Sequence, residues 1–542
     1  MRIGLFCFGL SLALWNTFFV IEGMLDARRE AELFLKTAKD FQLGELLTEQ
    51  PHPATEDLSV LAKSDLEAGL RRLWSVDLAA LERMSGILAT AGDLAQAVAA
   101  CLADGGRIFI AGCGATGRLS LALETLAREG MLPPSAGESV VGFMAGGDAA
   151  LIRSIEGFED LPEYGARQLT ELGFGQKDLL IASTEGGETP WVIGVTEAAA
   201  ALRPSQTPWF CYCNPDSLLR DTVERSKRVL DNPDICKWNL TVGPMALAGS
   251  TRMQASTALM LGIGLALLEG GRSGARTAAE AGTGVRKRFE RFYEGFSRLS
   301  VAAIAPLTER EAGAYGEGRR VVYATRDFGL TVLTDTTERA PTFSLAPFEN
   351  RLAPADPPSL CYLRLDGTQS TDEAWRALLG RAPRCIEWDS CRAFTGRAWL
   401  DGYGIADAAG AEAMIVSVQR SEDGFRLCDG VEEVVFTKLF PDSVDAGECI
   451  LFFNLALKCL LNAHSTLVMG RLGRYEGNLM TYVKASNRKL IDRAIRYVRI
   501  LAERDGGARP TYAETAYALF ETSATLQANE PVVLKTLQRL RE

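Results

Sequence analysis

Two turns rich in glycine and hydroxyl residues contain the side chains best suited to chemistry in this sequence. The first turn reads Gly112-x-Gly114-x-x-Gly117 within "RIFIAGCGATGRLSLALETL", and the second lies within "ASTEGGETPWV". In both, an apolar run gives way to a helical pattern. Glycines let backbone N–H groups turn toward an anion, and a helix N-terminus adds a positive partial charge. The two turns therefore predict binding of an anionic group.

The glycine spacing of the first turn matches the dinucleotide fingerprint as a string. A dinucleotide-binding unit also needs an acidic residue about 20 residues further on, at the end of the second strand. Here Glu138 precedes the next apolar run, and Asp148 comes too late. The turn lacks the G-K-[ST] signature, which excludes a P-loop. Taken alone, it is also consistent with a tight strand-to-helix connection that binds no ligand.

The second turn favours a ligand. Thr189 fits a helix N-cap and Pro190 fits the first helical position. Because both turns follow predicted parallel strands, they point into one crevice, and neither supplies a lysine. The expected ligand is a mono-anion-sized group such as a sugar phosphate, held by amides and hydroxyls. The candidate ligand-binding residues of these two turns are Gly114, Ala115, Thr116, Thr184, Gly186, Gly187 and Thr189.

A third stretch, "GPMALAGSTRMQASTALM", adds hydroxyls and a cation. Ser250, Thr251 and Arg252 stand at the predicted start of another helix. This combination at a helix N-terminus suits phosphate binding, and it equally fits a capped structural helix.

The elements that position these turns are alternating strands and helices, which predict an α/β fold of two tandem three-layer α/β/α sandwiches with parallel sheets. "GRRVVYATRDFGLTVLTDTTERAPTF" repeats the strand–turn–helix order of the first turn without its spaced glycines. There Asp327 would repel an anion, so we expect one phosphate site and a second domain that acts as its partner. The predicted divisions are an extension at 1–23, a helical segment at 24–90, α/β domains at 91–272 and 301–450, a helical connector at 273–300, and a helical region at 451–542.

Composition excludes several classes of function. The 542 residues carry a net charge of -11, which argues against an extended nucleic-acid surface. The sequence has only two histidines, which argues against a histidine-based zinc site and against a nucleophile–His triad, and we expect no metal and no cofactor. The twelve cysteines form no C-x-x-C pair, which is typical of reduced thiols in the cytoplasm. Residues 1–23 fit either a signal or anchor segment or an upstream start.

The motifs "GCGATGR", "STEGGETPWVIG", "CNPDS" and "GPMALAGSTRMQASTA" together resemble the sugar isomerase (SIS) domain family, in its branch of N-acetylmuramic acid 6-phosphate etherase and glucokinase regulatory protein. The resemblance covers about 45–270 and 460–500. It implies two tandem SIS-type domains, as in the regulatory protein, and a phosphate pocket lined by Thr116, Thr184, Gly186, Thr189 and Ser250. It also implies that Lys489 in "ASNRKL" approaches that pocket from the C-terminal region.

The next candidates are carboxylates, with Glu156 predicted to bind substrate and Glu159 predicted to do acid–base work if the protein is an etherase. The motif "SIEGFED" places Glu156 and Glu159 at i, i+3, on one face if the segment is helical. The resemblance implies that Glu159 is the catalytic residue of an etherase. The family's other catalytic segment is replaced by "LALETLARE", with Leu126 at the glutamate position, whereas "TDTTERAPTF" in the second domain resembles it and offers Glu338. Gln254 stands where the etherases have a lysine.

Three functions follow from these residues. The first is a sensor that binds a hexose or N-acetylhexosamine phosphate and signals to a sugar kinase. The second is an N-acetylmuramic acid 6-phosphate etherase working as a fused pseudo-dimer, with Glu159 and Glu338 in catalysis. The third is an aldose–ketose isomerase. We expect a cytoplasmic protein of carbohydrate metabolism with no nucleic-acid or membrane partner, as a monomer with an internal pseudo-dimer or a homo-oligomer.

Overall fold

Five short strands form the first sheet, and four of them are buried along their whole length. The computed structural model describes residues 26–155, 157–273, 277–345, 348–353, 359–405, 413–485, 487–527 and 529–542, so residues 1–23 and Glu156 lie outside the described residues. The strands are β1 (Ile108–Gly112), β2 (Val140–Met144), β3 (Leu179–Thr184), β4 (Trp209–Tyr212) and β5 (Cys236–Asn239). They pair in parallel in the order β2-β1-β3-β4-β5.

Helices pack on both faces of this sheet. Helix α4 lies against β1 and β2, and α7 packs on α6. The predicted connector is a helix whose N-terminus carries a capping box between Thr277 and Glu280. The helices of this half are α1 (Leu58–Ser64), α2 (Leu66–Ile87), α3 (Ala91–Ala103), α4 (Ala115–Leu126), α5 (Pro134–Glu138), α6 (Pro162–Glu171), α7 (Pro190–Ala201), α8 (Asp216–Thr222), α9 (Glu224–Asp231), α10 (Gln254–Ser273) and α11 (Ala278–Arg298).

The second sheet is mixed, which corrects the expectation of two parallel sheets. Its order is β10-β9-β8-β6-β7; β7, β6 and β8 are parallel, and β8-β9-β10 are antiparallel. The physical reason is that β8 turns straight back into β9, and β10 alternates exposed and buried residues as antiparallel strands with one wet face do. The strands are β6 (Val321–Thr325), β7 (Cys361–Leu365), β8 (Met414–Ser421), β9 (Gly424–Cys428) and β10 (Glu433–Phe436).

A 26-residue helix, α17, is buried on nearly every side and contacts helices of both sheet domains. By length and hydropathy two helical stretches of the described chain, Leu66–Ala103 and Ala446–Arg471, could cross a membrane, and 89% of the apolar window of the latter is buried inside the protein, as in a core helix. The helices of this half are α12 (Ala305–Gly316), α13 (Gly329–Phe343), α14 (Thr371–Leu379), α15 (Arg392–Thr395), α16 (Arg397–Asp401) and α17 (Ala446–Arg471).

The chain divides into two compact units. The sheet unit, Glu45–Asn478, contains both sheets and the short strand Tyr475–Glu476. The terminal unit combines the residues up to Gly44 with Leu479–Glu542. Within the terminal unit, an ion pair of 2.6 Å joins Arg28 to Glu521. Its elements are the helical residues 26–37, the strand Leu479–Met480, and helices α18 (Arg488–Arg504), α19 (Tyr512–Ser523) and α20 (Val532–Arg539).

Candidate functional site

The topology of the first sheet creates a crevice beside its central strand. Chain order reverses between β1 and β3, and in open α/β sheets ligands bind at such a switch point, outside the carboxyl ends of the strands. The first turn (Cys113–Gly117) follows β1, and the second turn (Glu185–Thr189) follows β3. The Ser183 hydroxyl donates to the Ala111 carbonyl at 3.1 Å and ties the two strand ends together. The two turns singled out in the sequence therefore flank one crevice.

The first turn has two backbone N–H groups that bind no acceptor in the described part of the chain. Gly114 has φ 55° and ψ -119°, a conformation that costs an L-residue strain, and a Cβ there would meet no atom within 4 Å. Thr116 clamps the turn, because its hydroxyl accepts from the Cys113 N–H at 3.0 Å and donates to the Cys113 carbonyl at 2.9 Å. Among the described residues, no acceptor binds the N–H of Gly114 or Ala115. The turn is thus shaped to receive an anion.

The second turn contributes a pair of hydroxyls. Thr189 is the N-cap of α7 and Pro190 is its first residue, as predicted. The Thr189 hydroxyl makes no capping bond but lies 3.0 Å from the Thr184 hydroxyl. The carbonyls of Gly186 and Gly187 are already bound, by the Asn214 amide at 2.9 Å and the Ser226 hydroxyl at 2.7 Å. Those bonds fix the turn and leave its hydroxyl pair beside the crevice.

In the third stretch, Ser250 and Arg252 are buried and Thr251 is half-buried, just before α10 begins. The Ser250 hydroxyl finds no partner in the described part of the chain, and an unpaired buried hydroxyl is costly unless a water or ligand meets it. Arg252 instead pairs with Asp335 of α13 at 2.8 Å, and its guanidinium donates to the Ser465 hydroxyl at 3.2 Å. A phosphate contact by Arg252 stays a prediction.

Glu159 lies between the first and second turns. Its carboxylate accepts from the Cys113 thiol at 3.3 Å, and its carbonyl accepts from the Trp191 N–H at 3.0 Å. The expectation that Glu156 and Glu159 share a helical face is wrong for Glu159, since residues 157–160 form a turn and α6 begins only at Pro162. A proline at that position fixes the helix start and leaves the preceding residues outside the helix. Glu156 itself lies outside the described residues, so the expectation for it stays a prediction.

Glu338 reaches the first sheet domain from the second. It lies on α13, is buried, and its carboxylate accepts from the Arg118 guanidinium. Arg118 stands in the first turns of α4 and also donates to the Leu151 carbonyl at 2.9 Å. This arrangement brings a second carboxylate to the helix that begins at the first turn. A role for Glu338 in catalysis or sugar binding stays a prediction.

Buried polar groups missed by the sequence reasoning support the third stretch. The Lys458 ammonium, on α17, donates to the Arg252 carbonyl and the Thr257 hydroxyl, both at 2.9 Å, and burial lowers its pKa. Burial raises the pKa of Asp77 to about 7, although a bond of 2.7 Å from Gln254 opposes this. Lys458 and Asp77 each interrupt an apolar run, which was the available signal.

A small cavity of about 20 Å³ lies between the first turn, α10 and α13, with room for about one water. Its lining residues are Ala115, Leu119, Ala122, Arg252, Ser256, Met260, Thr331, Thr334 and Lys458. Within the described ranges, no group of three or more His, Cys, Asp or Glu side chains is arranged to hold a metal ion. The polar chemistry here is that of hydroxyls, amides and buried cations.

The corresponding turn of the second sheet is bonded internally. The Thr325 hydroxyl accepts from the N–H groups of Asp327 at 3.3 Å and Phe328 at 3.2 Å, and the Asp327 carboxylate accepts from the Arg420 N–H at 3.1 Å.

Lys489 lies in the first turn of α18, in the terminal unit. Its approach to the phosphate pocket stays a prediction.

The chain is similar to several known proteins. Residues 93–200 match the family described as the glucokinase regulatory protein N-terminal SIS domain. The chain is 35% identical over 228 residues to an N-acetylmuramic acid 6-phosphate etherase of Synechocystis sp., covering 41% of this chain and 67% of that protein. It is 33% identical over 219 residues to the etherase of Salmonella agona, covering 40% and 67%. A tagatose-6-phosphate ketose/aldose isomerase structure from Escherichia coli matches with a TM-score of 0.40 and 12% identity, over 77% of this chain and 95% of that one.

Proposed function

Because the chain belongs to the SIS-domain family of the N-acetylmuramic acid 6-phosphate etherases and the glucokinase regulatory protein, we propose that it binds one phosphorylated hexose or N-acetylhexosamine in the crevice between the first and second turns. The observation that carries this proposal is the convergence of the two turns at the switch point of the first sheet. The N–H groups of Gly114 and Ala115 would bind the phosphoryl oxygens. The hydroxyls of Thr184 and Thr189 would bind them from the opposite side.

The phosphoryl group fits this set of donors. Backbone amides at the N-termini of α4 and α7 provide partial positive charge without a lysine in either turn. The Ser250 hydroxyl, buried and unpartnered within the described chain, supplies a further donor if it faces the same ligand. Such a site suits a single phosphate on a neutral sugar better than a nucleotide with several phosphates.

We further propose that binding serves sensing, with a sugar kinase as the partner and the cytoplasm as the location. The support is the environment of Glu338, which is held by the Arg118 guanidinium and is thereby suited to accept hydrogen bonds from sugar hydroxyls. An etherase would also need carboxyl groups that take up and release a proton during the reaction. At the position that resembles the family's other catalytic glutamate, this chain has Leu126.

Etherase activity is a second candidate, which the placement of Glu159 favours. Removing lactate from the sugar needs one group to take up the acidic proton and a proton for the departing oxygen. Glu159 lies beside the first turn, where a sugar bound through its phosphate would reach it, and the etherases are the curated relatives that match the chain. In this reading Glu159 accepts the acidic proton as the bond to the lactate oxygen breaks, and Glu338 donates a proton to that departing oxygen. Water then adds to the resulting double bond and returns a proton to Glu338.

One experiment separates the two functions. The protein is titrated with glucose 6-phosphate, fructose 6-phosphate, N-acetylglucosamine 6-phosphate and N-acetylmuramic acid 6-phosphate, following the melting temperature and D-lactate in the same samples. A ligand at 100 times its Kd stabilises the fold by about 2.7 kcal/mol, which a melting curve detects. Stabilisation without lactate supports the sensor. Lactate release that Glu159→Gln abolishes supports the etherase, and neither signal with any sugar contradicts both.

A further inference from the structure

A segment of the second half crosses to the first sheet domain. This strap, residues 380–401, lies between β7 and β8 in sequence. Arg381 pairs with Asp148 at 2.6 Å and with Glu124 at 3.0 Å, and Arg384 pairs with Glu124 at 2.8 Å. Glu124 and Asp148 are 1% and 2% exposed. Buried charges of this kind are costly to separate, so the strap is firmly fixed to the first domain.

Trp388, in the middle of the strap, packs beside the segment that carries Glu159. Its ring stacks on Phe158, with centroids 5.9 Å apart and planes 17° apart, and it meets Tyr164 edge-on at 5.3 Å. Its indole N–H donates to Glu171 at 2.7 Å. The Arg167 guanidinium lies 4.0 Å above the ring. Trp388 and Phe158 are 6% and 3% exposed, so the contact is well packed.

Phe158 and Glu159 are adjacent, and the two are fixed on opposite sides. The Glu159 carboxylate meets Cys113 of the first turn and its carbonyl meets the Trp191 N–H. The Phe158 ring meets Trp388. The segment is a turn, so no helical hydrogen bonds fix it. Two backbone bonds hold it, one to the Glu159 carbonyl and one of 3.2 Å from the Phe158 N–H to the Ile155 carbonyl, and the strap adds side-chain packing from the other half of the molecule.

We propose that Trp388 is a positioning residue for Glu159: by stacking on Phe158, the strap of the second half holds the carboxylate in the sugar-phosphate crevice of the first. This inference rests on the proposed binding site. It gives the second half a part in ligand binding without a phosphate site of its own. It also makes ligand occupancy and strap position dependent on each other, because any coupling of two equilibria is reciprocal.

The test measures sugar-phosphate affinity in full-length variants, using the sugar that stabilises the wild type most. An aromatic contact of this kind contributes roughly 0.5–1.5 kcal/mol, so Trp388→Ala should weaken binding by about 3- to 10-fold. Trp388→Phe keeps a stacking ring and should recover most of the affinity. The matched control is Phe394→Ala in the same strap, because Phe394 is 55% exposed and packs on Trp399. It should leave affinity unchanged.

A double-mutant cycle separates positioning from general damage. In a Glu159→Gln background, Trp388→Ala should weaken binding by a much smaller factor, because interacting residues are not additive. Equal losses in both backgrounds, or no loss in either, overturn the proposal. If the wild type itself binds no sugar phosphate, the proposed function fails instead. A Trp388→Ala protein that does not fold is replaced by Trp388→Leu in the same cycle, with the same outcomes.

Discussion

Each sheet has a strand-to-helix turn at its switch point, and the two turns differ in what their N–H groups meet. After β1, the N–H groups of Gly114 and Ala115 bind no acceptor among the described residues. After β6, the Thr325 hydroxyl binds the N–H groups of Asp327 and Phe328. Neighbouring strand β3 leads into a second helix N-terminus, whereas β8 turns back into β9. The proposed anion site thus lies in one half, and the corresponding turn of the other half is bonded internally.

The second half, whose turn is bonded internally, instead supplies side chains that pair with residues of the first half. It supplies Glu338 to Arg118, Asp335 to Arg252, and the strap to Glu124 and Asp148. All of these pairs are largely removed from water. We therefore expect the second half to be required for binding at the proposed site, because its side chains pair with those of the first half there. The predictions below test this division, from the largest expected effect to the smallest.

Breaking the contact between the halves should have the largest effect. Arg118→Met leaves the Glu338 carboxylate buried without its partner, which should lower the free energy of unfolding by about 3–5 kcal/mol. Arg426→Met removes an exposed pair with Glu433 within the second sheet and should cost about 1 kcal/mol or less. Urea unfolding measures both. Equal, small losses would show that the two halves do not depend on this pair.

The second-largest effect should come from exchanging residues between the turn after β1 and the turn after β6, which should change sugar-phosphate affinity. Gly114→Asp introduces a carboxylate at the position where the turn after β6 has Asp327, and it strains a backbone at φ 55°, so sugar-phosphate affinity should fall about 100-fold or more, roughly 3 kcal/mol. Gly114→Ala carries the strain without the charge and should lose less. The reciprocal Asp327→Gly should leave affinity unchanged in calorimetric titration. A loss with Asp327→Gly equal to that of Gly114→Asp would contradict the comparison.

Removing one hydroxyl from each half should give a smaller, one-sided effect. Hydrogen bonds to a charged group contribute about 1.5–3 kcal/mol, so Thr189→Val should weaken phosphate binding by roughly 10-fold or more. Thr325→Val removes a hydroxyl that holds only its own turn. It should lower the melting temperature and leave affinity as it was. Similar affinity losses in Thr189→Val and Thr325→Val would argue that the turn after β6 binds ligand as well as the turn after β3.

The two halves should respond to pH in opposite directions, with the smallest effect. Burial raises the pKa of Asp77 from 3.8 to about 7, so its contribution to stability is present at low pH and is lost as pH rises from about 4 to 7. Burial alone would raise the pKa of Glu311 too, but Arg339 and His464 hold it below its usual 4.5. That contribution is lost as pH falls below about 4.5. We expect the melting temperature of the wild type to decline between pH 4 and 7. The melting temperature of Asp77→Asn should not decline over the same range.

Local patterns in the sequence predict much of this fold. Apolar runs predict β1 to β4, β6 to β8 and β10, and Thr189 with Pro190 predicts the start of α7. Strand β5 was missed because it is a four-residue edge strand containing Lys237, and β9 was missed although Asp423-Gly424 is a hairpin signal. That hairpin is what makes the second sheet mixed.

The contacts between the halves were beyond prediction from local patterns. Arg118 and Glu338 are 220 residues apart, and Arg384 and Glu124 are 260 apart. Nothing in the spacing of charges says which of many possible pairs becomes buried, since that choice is made by packing of the whole unit. Trp388 likewise reads as an ordinary aromatic residue until Phe158 is seen beside it. The turns could be identified from sequence, and the support that the second half gives them could not.

The stoichiometry of sugar-phosphate binding, measured by isothermal titration calorimetry on the full chain, tests the division of labour most directly. We predict one ligand per chain, lost in Gly114→Asp and kept in Asp327→Gly. Two ligands per chain, or one ligand that persists in Gly114→Asp and disappears in Asp327→Gly, would contradict the account.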